Sequence, residues 1–331
     1  MRHAVIKEVA ARLPALLPPS GRVVLAFSGG SDSVALFHIL RVLRHRLGFR
    51  LHLLHVNHGL RPEAGAEERW VNAFAAGFAV PLFVYPVTAT PPPGAGIEDW
   101  ARRQRLAAYH RVLAWRPAPA IATAHHLNDL FETMLLALFK GNMGHPLAPM
   151  QVSDHGIIRP LLDSAKQTIN AFIRAFGLAH LTDRSNLNVR FERNYLRHEV
   201  VPQVLARFPG ALSKARQYCR RFSELEDMLR SRLAEELNAL QCPQGHGDGW
   251  CLDRPGFLAR PLYWQKRILR YVLEQAAHRP PSYNLVLHAL RLVQKGGLFP
   301  GLLPGLSLQV DAERILLLTG PRGHGRQAQS R

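Results

Sequence analysis

Apolar positions in the first half of the chain alternate between short unbroken runs and stripes at helical spacing. Arg22-Val23-Val24-Leu25-Ala26-Phe27 is apolar and β-branched and reads as a buried strand. After it, Val34, Leu36, Phe37, Leu40, Leu43 and Leu47 recur with the period of a helix. Further strands are predicted at Leu51–Val56, Leu82–Val87 and Ala120–Ala124, with a weaker one over Gly156–Leu161. Helical patterns fill the intervals at 33–47, 63–78, 97–115 and 128–140. This alternation predicts an α/β fold with a doubly wound, mostly parallel sheet, whose ligands sit at the carboxyl ends of the strands.

Beyond about residue 205 the pattern turns helical, at 210–240, 256–276 and 282–295, with Pro/Gly-rich turns such as Arg279-Pro280-Pro281 between. Leu306–Val310 and Arg314–Leu318 then read as a closing hairpin around Asp311-Ala312-Glu313. The expected organisation is a catalytic α/β domain over 1–205, a smaller, mainly helical domain over 206–319, and a basic, disordered tail over 320–331.

Hydrophobic residues make up 47% of the 331 and charged residues 20%, a globular composition, and no run of about 18 apolar residues predicts a membrane span. The N-terminus carries Glu8 and lacks the apolar core of a signal peptide. Three cysteines, an odd and sparse set, fit a reducing cytoplasm, where the chain is expected to reside. Cys242 to Cys251 reads as a plain loop, because its soft ligands are too few and too irregular for a metal knuckle. Lys and Arg number 42 against 24 Asp and Glu, leaving +18, which favours a polyanionic partner. An arginine-rich composition by itself would also give a basic surface, so charge favours nucleic acid only modestly.

The strongest local chemistry is Ser28-Gly29-Gly30-Ser31-Asp32-Ser33, set between the first strand and its helix. Strand, glycine turn and helix point several backbone N–H groups at one anion, and the serines add neutral donors. The string lacks both Gly-x-x-x-x-Gly-Lys-[Ser/Thr] and Gly-x-Gly-x-x-Gly, so no loop lysine straddles the β- and γ-phosphates. Asp32 would face a phosphate only with a cation between them, which suggests Mg²⁺, or it orients the helix start.

Thr123-Ala124-His125-His126-Leu127-Asn128-Asp129-Leu130-Phe131-Glu132-Thr133 also follows a strand and opens a helix. Asp129 and Glu132 share one face of its first turn. The helix dipole favours acids there, and beside a phosphate cradle a carboxylate pair also suits Mg²⁺ or the ammonium of an amine substrate. Adjacent histidines rarely share one metal, so a zinc site at His125 and His126 is disfavoured. On Glu98-Asp99-Trp100-Ala101-Arg102-Arg103-Gln104-Arg105, Arg102 and Arg105 share a face and Glu98 pairs with Arg102 at i,i+4. That face reads equally as solvated or phosphate-binding. Arg193 and Arg197, one turn apart after Asp183-Arg184-Ser185-Asn186, are spaced to grip one anion or neighbouring ones.

These segments, with His55-Val56-Asn57-His58-Gly59-Leu60-Arg61 and Arg159-Pro160-Leu161-Leu162, run in one order across roughly 22–205. The chain resembles the tRNA(Ile)-lysidine synthetases of the PP-loop (N-type ATP pyrophosphatase) superfamily, an adenine nucleotide α-hydrolase-like fold. Its tail resembles the shorter members, which lack a second C-terminal domain. The resemblance implies that ATP adenylates the C2 oxygen of the wobble cytidine in the CAU anticodon of tRNA(Ile), and that free L-lysine then displaces AMP. It implies ATP on Ser28, Gly29, Gly30, Ser31, Asp32 and Ser33, with Mg²⁺ at Asp32. Asp32, Asp129, Glu132, Arg193 and Arg197 would form the catalytic set, with Asp129 and Glu132 receiving lysine. His125, His126, Arg102 and Arg105 would face substrate and tRNA, and the later domain would bind tRNA. Monomer and homodimer both stay open.

The chain departs from the family pattern at Asn128 and Leu130, where Asp and Gln are usual, at Leu106 in place of Tyr, and at Pro149 in a glycine-rich loop over 140–150. Two other readings compete: a PP-loop enzyme that thiolates a tRNA base, and a silent tRNA-binding homologue. The first lacks the expected paired cysteines, since none precedes Cys219.

Overall fold

The computed structural model describes residues 3–60, 62–94, 96–140, 150–182, 188–242, 249–277, 281–303 and 305–319. They divide into one compact unit, Met1–Phe139 with Pro149–Cys219, and a second made mainly of Arg220–Arg331.

The first unit opens with α1 (Ala4–Arg12) and then alternates as its apolar runs predict: β1 (Arg22–Ala26), α2 (Ser31–Leu47), β2 (Arg50–Asn57), α3 (Ala64–Gly77), β3 (Leu82–Pro86), α4 (Ile97–Leu113), β4 (Ala120–Ala122) and α5 (Leu127–Phe139). The short hairpin of β5 (Ser153–Asp154) and β6 (Ile157–Ile158) precedes α6 (Lys166–Ala175). The sheet order is β3-β2-β1-β4-β6-β5, parallel except for the β5–β6 pair. The strand expected over Gly156–Leu161 shrinks to two residues, because the chain turns at Arg159.

Burial on both faces explains the unbroken apolar runs. Val23 and Leu25 point into a core with Phe37, Leu40, Val71 and Phe172. Val24, one residue out of phase, points the other way, to Leu54, Ala108, Val112 and Ile121. β1 sits mid-sheet and connects outward on one side to β2 and on the other to β4. That reversal leaves a crevice at the carboxyl ends of β1 and β4, where the two main motifs emerge.

After α6 come α7 (Glu192–Tyr195), a π-helical turn (Leu196–Val200), α8 (Val201–Arg207) and the long α9 (Ala211–Leu240). The second unit adds β7 (Trp250–Asp253), α10 (Arg254–Leu258), α11 (Leu262–Ala277), α12 (Tyr283–Lys295), β8 (Gly297–Leu303), β9 (Leu306–Val310) and β10 (Arg314–Thr319). The expected hairpin is present as β9–β10, its turn held by Asp311 Oδ1, which accepts from the N–H groups of Glu313 (2.9 Å) and Arg314 (2.6 Å). It is the middle of an antiparallel sheet ordered β7-β10-β9-β8, so the unit is less purely helical than its sequence suggests. One face of that sheet packs Leu306, Leu308, Val310, Ile315 and Leu317 against Leu237, Leu269 and Val286.

The plain-loop reading of 242–251 needs correction. An antiparallel bridge between Gln241 and Leu252 sets the Cα atoms of Cys242 and Cys251 5.4 Å apart, and the two are joined by a disulfide. Among the described residues, no helix is long and apolar enough to cross a membrane.

Candidate active site

The cradle forms where β1 ends and α2 begins. Gly30 is the helix N-cap, extended at φ −70°, ψ 162°, and no side chain caps the first turn, whose N–H groups stay available to an anion. Gly29 adopts φ 81°, and a Cβ there would stand 2.7 Å from Leu181 Cδ1 and 3.1 Å from the Trp70 ring. Its carbonyl accepts from Leu181 N–H at 2.9 Å, pinning the loop to the segment after α6. Ser28 Oγ accepts from Gly30 N–H (3.3 Å) and meets Ser33 Oγ (3.2 Å), while Ser33 O–H donates to the Gly30 carbonyl (2.9 Å). Two of the three serines therefore brace the loop itself. Behind it, buried His55 places Nδ1 3.0 Å from the Phe27 carbonyl.

Asp32, in the first turn of α2, meets a residue that the sequence did not flag. Lys166 Nζ donates to Asp32 Oδ1 at 2.5 Å and to Ser31 Oγ at 3.2 Å. On the other side, His126 Nε2 lies 3.7 Å from Asp32 Oδ2. Burial alone would raise the Asp32 carboxyl, but His126 and the Lys166 ammonium outweigh it and hold the group at about 2. Asp32 is ionised at any pH near neutrality.

His126 leads from the cradle to the second motif. Its backbone N–H donates to Asp129 Oδ2 (3.0 Å), and Asp129 N–H donates back to His126 Nδ1 (3.3 Å), a reciprocal cap that starts α5. Asp129 Oδ1 accepts from Arg197 Nη2 (3.0 Å) and Arg193 Nη2 (3.4 Å). Glu132 Oε1 accepts from Arg197 Nε (2.8 Å), and Oε2 from Arg197 Nη2 (2.8 Å) and Arg193 Nε (3.0 Å). Arg193 and Arg197 both reach two neighbouring anions, and in this structure these are the Asp129 and Glu132 carboxylates of the protein. Burial pushes the Asp129 carboxyl up, but His126, Arg193 and His125 more than reverse that and lower it. Two carboxylates and two guanidiniums make a quartet without net charge.

His125 is turned away from this quartet's hydrogen bonds and places Nδ1 2.9 Å from Thr123 Oγ1. Burial pushes its pKa down, Asp129 opposes, and the charges of Arg159, Arg193 and Arg105 add to the depression, which leaves it at about 4. The unfolded imidazole, near 6.5, takes up a proton that the folded one refuses. Stability should therefore fall as pH drops from 6.5 to about 4 and then stop responding to this group. Urea midpoints at pH 7 and 4.5 for the wild type and His125→Gln will show it: the variant should lose less stability across the interval. Equal losses would mean that His125 titrates normally.

The first unit thus brings together the Ser28–Ser33 loop, His125, His126, Asp129, Glu132, Arg193 and Arg197. Arg102 and Arg105 lie on the exposed side of α4, Arg105 near enough for its charge to act on His125, and, among the described residues, they meet no hydrogen-bonding or ion-pair partner. The side chain of Glu98 lies outside the described residues, and the pair seen on this helix is Arg103–Asp99 at 3.3 Å. Arg61, Asp183 to Asn186, Pro149 with most of its loop, and the 320–331 tail also lie outside them. The departures at Asn128 and Leu130 both have local roles. Asn128 Oδ1 accepts from Lys166 N–H at 2.9 Å, and Leu130 is fully buried beside Leu162 and Val201.

A PP-loop domain matches residues 3–204. The tRNA(Ile)-lysidine synthase of Nitratidesulfovibrio vulgaris is 37% identical over 234 residues, 68% of this chain and 67% of that protein. Those of Symbiobacterium thermophilum (35%) and Shewanella oneidensis (31%) match 84% and 81% of this chain. The chain spans 60% and 59% of their respective lengths. A U34-tRNA thiolase from Methanococcus maripaludis superposes with a TM-score of 0.56 at 15% identity, over 66% of this chain and 80% of its own, and shares the fold. The family match runs through nearly all of the first unit, and the chain belongs to the PP-loop family, in the branch of the tRNA(Ile)-lysidine synthases.

Proposed function

We propose that the chain uses ATP to attach free L-lysine to C2 of the wobble cytidine of tRNA(Ile) bearing a CAU anticodon. In the first step the cytidine C2 oxygen attacks the α-phosphorus, an O–P bond forms, the α–β anhydride breaks and pyrophosphate leaves. In the second, the lysine amine attacks C2, a C2–N bond forms, the C2–O bond breaks, AMP leaves, and the ammonium has released two of its three protons to solvent. A cradle with no loop lysine at the β- and γ-phosphates suits a reaction whose leaving group is pyrophosphate.

The observation that carries this reading is the neutral quartet one imidazole away from the cradle. An amino acid arrives as a zwitterion, and paired carboxylates and guanidiniums offer partners to both its ammonium and its carboxylate. Glu132 is enclosed by the two arginines and positions them, whereas Asp129 is the more open of the two acids and faces the amine. Arg102 and Arg105 offset charge on the anticodon, and the +18 excess holds the tRNA with strong salt dependence.

Magnesium fits the donor set at the cradle. Among the described residues no cluster of three or more His, Cys, Asp or Glu could cage a metal, and Mg²⁺ commonly binds one carboxylate plus substrate phosphates. Asp32, ionised throughout the working pH range, is that carboxylate, and Mg²⁺ there would neutralise phosphate charge. The chain acts in the cytoplasm, as a monomer or a homodimer.

Base thiolation is the poorer reading. Cys219 is buried, its thiol pushed up to about 11 by burial, with Sγ against Met134 Sδ, and the other two cysteines are joined to each other in the second unit. Incubation with ATP, L-lysine and a tRNA(Ile) transcript carrying the CAU anticodon tests the proposal. AMP release matched by lysine incorporation is expected. Tight tRNA binding with neither product would identify a silent homologue.

A further inference from the structure

Lys166 belongs to none of the motifs that brought ATP to the cradle, yet its ammonium lies against the cradle's Asp32 and Ser31. We propose that Lys166 is the cradle's phosphate-binding cation. In the free protein it is the counter-ion of Asp32, and it passes to the nucleotide's phosphates when Mg²⁺ takes over the Asp32 carboxylate. The inference rests on the reading that the cradle binds ATP.

Position comes first. Nζ lies 2.5 Å from Asp32 Oδ1 and 3.2 Å from Ser31 Oγ, at the start of α2 where the free N–H groups converge. The side chain is 31% exposed, so its four-carbon stem has room to swing toward an incoming anion. Its backbone has no such freedom. Lys166 N–H is held by Asn128 Oδ1 (2.9 Å), and Leu127 N–H binds the Ser164 carbonyl (3.0 Å). Ser164 O–H donates to Glu8 Oε2 at 2.6 Å, and Asp163 pairs with both Arg12 and Arg216. A flexible ammonium on a fixed base is how a site built on rigid elements presents a charge.

Charge comes second. A triphosphate entering beside Asp32 meets a like charge unless a cation intervenes. Arg193 and Arg197 are committed to Glu132 and Asp129. Lys166 is ion-paired with Asp32, the group that a divalent ion would claim, and otherwise meets the neutral Ser31 hydroxyl. The exchange leaves neither Asp32 nor Lys166 unpaired: carboxylate with metal, ammonium with phosphate. Lys166 thus supplies, from more than a hundred residues downstream, the cation that the loop itself lacks.

Equilibrium binding of ATP in the presence of Mg²⁺ tests this on Lys166→Met, Lys166→Gln and Lys166→Arg, with circular dichroism as the folding control. Loss of one charge-assisted contact should weaken ATP binding about 10- to 100-fold in the Met and Gln variants, with partial recovery in the Arg variant and unchanged tRNA binding. Without nucleotide, Mn²⁺ as a probe of Asp32 should bind more tightly to Lys166→Met, because its competitor is gone. A purely structural role would not produce that gain. ATP affinity equal to wild type in either folded neutral variant overturns the proposal. If the wild type itself fails to bind ATP, the reading of the cradle falls first.

Discussion

Arg197→Met should lower the stability of the folded protein by about 2–3 kcal/mol and reduce lysine incorporation at least 100-fold. Arg197 supplies both bonds of a bidentate pair to Glu132, at 2.8 Å each, and a third to Asp129 at 3.0 Å. The Glu132 side chain is only 2% exposed, so water cannot replace what is lost. Arg193 remains on Oε2, which keeps the cost below that of a fully stranded buried charge. Arg197→Lys should recover part of the stability and little activity, since a point charge cannot repeat the fork. Urea denaturation at pH 7 checks the first half and lysine incorporation the second. A midpoint unchanged in Arg197→Met would mean that Glu132 is satisfied without it.

Asp129→Asn should abolish lysine incorporation, a loss of 100-fold or more, while tRNA binding stays within a few-fold of wild type. The amide keeps the shape but not the charge, and its NH₂ end must face either the arginines or the His126 N–H, both of them donors. The quartet then carries a net positive charge and repels the ammonium end of lysine. Pyrophosphate release in the presence of tRNA should survive, because Asp32, Ser31 and Lys166 are untouched. Separate measurement of pyrophosphate, lysine incorporation and tRNA binding decides the point. Parallel loss of all three in a folded variant would assign Asp129 a structural role.

The sheet was legible because its strands are buried on both faces, so whole runs such as Val23-Val24-Leu25 are apolar and hard to mistake. The cradle was legible because all its parts lie within six residues. The quartet was half legible. Each pair was visible at its helical spacing, but nothing local says that acids at 129 and 132 will meet arginines at 193 and 197. Lys166 had no local signal, since it becomes a cradle residue only through the packing of α6. The stripes Val5, Ile6, Val9 and Ile169, Phe172, Ile173 were available and point to α1 and α6. Asn128 and Leu130 looked like losses beside the family pattern. In place, one holds Lys166 and the other fills the core.

The Asp163 carboxylate ties Arg12, 151 positions before it, to Arg216, 53 positions after it. On a ribosome these three are made in order, so the cradle string emerges long before the chain that steadies Lys166 beside it. A nascent chain halted ahead of α9 would contain every recognisable motif and still lack the Arg216 charge behind the turn that leads to α6. Until the first turns of α9 are made, the Asp163 carboxylate is without its Arg216 partner.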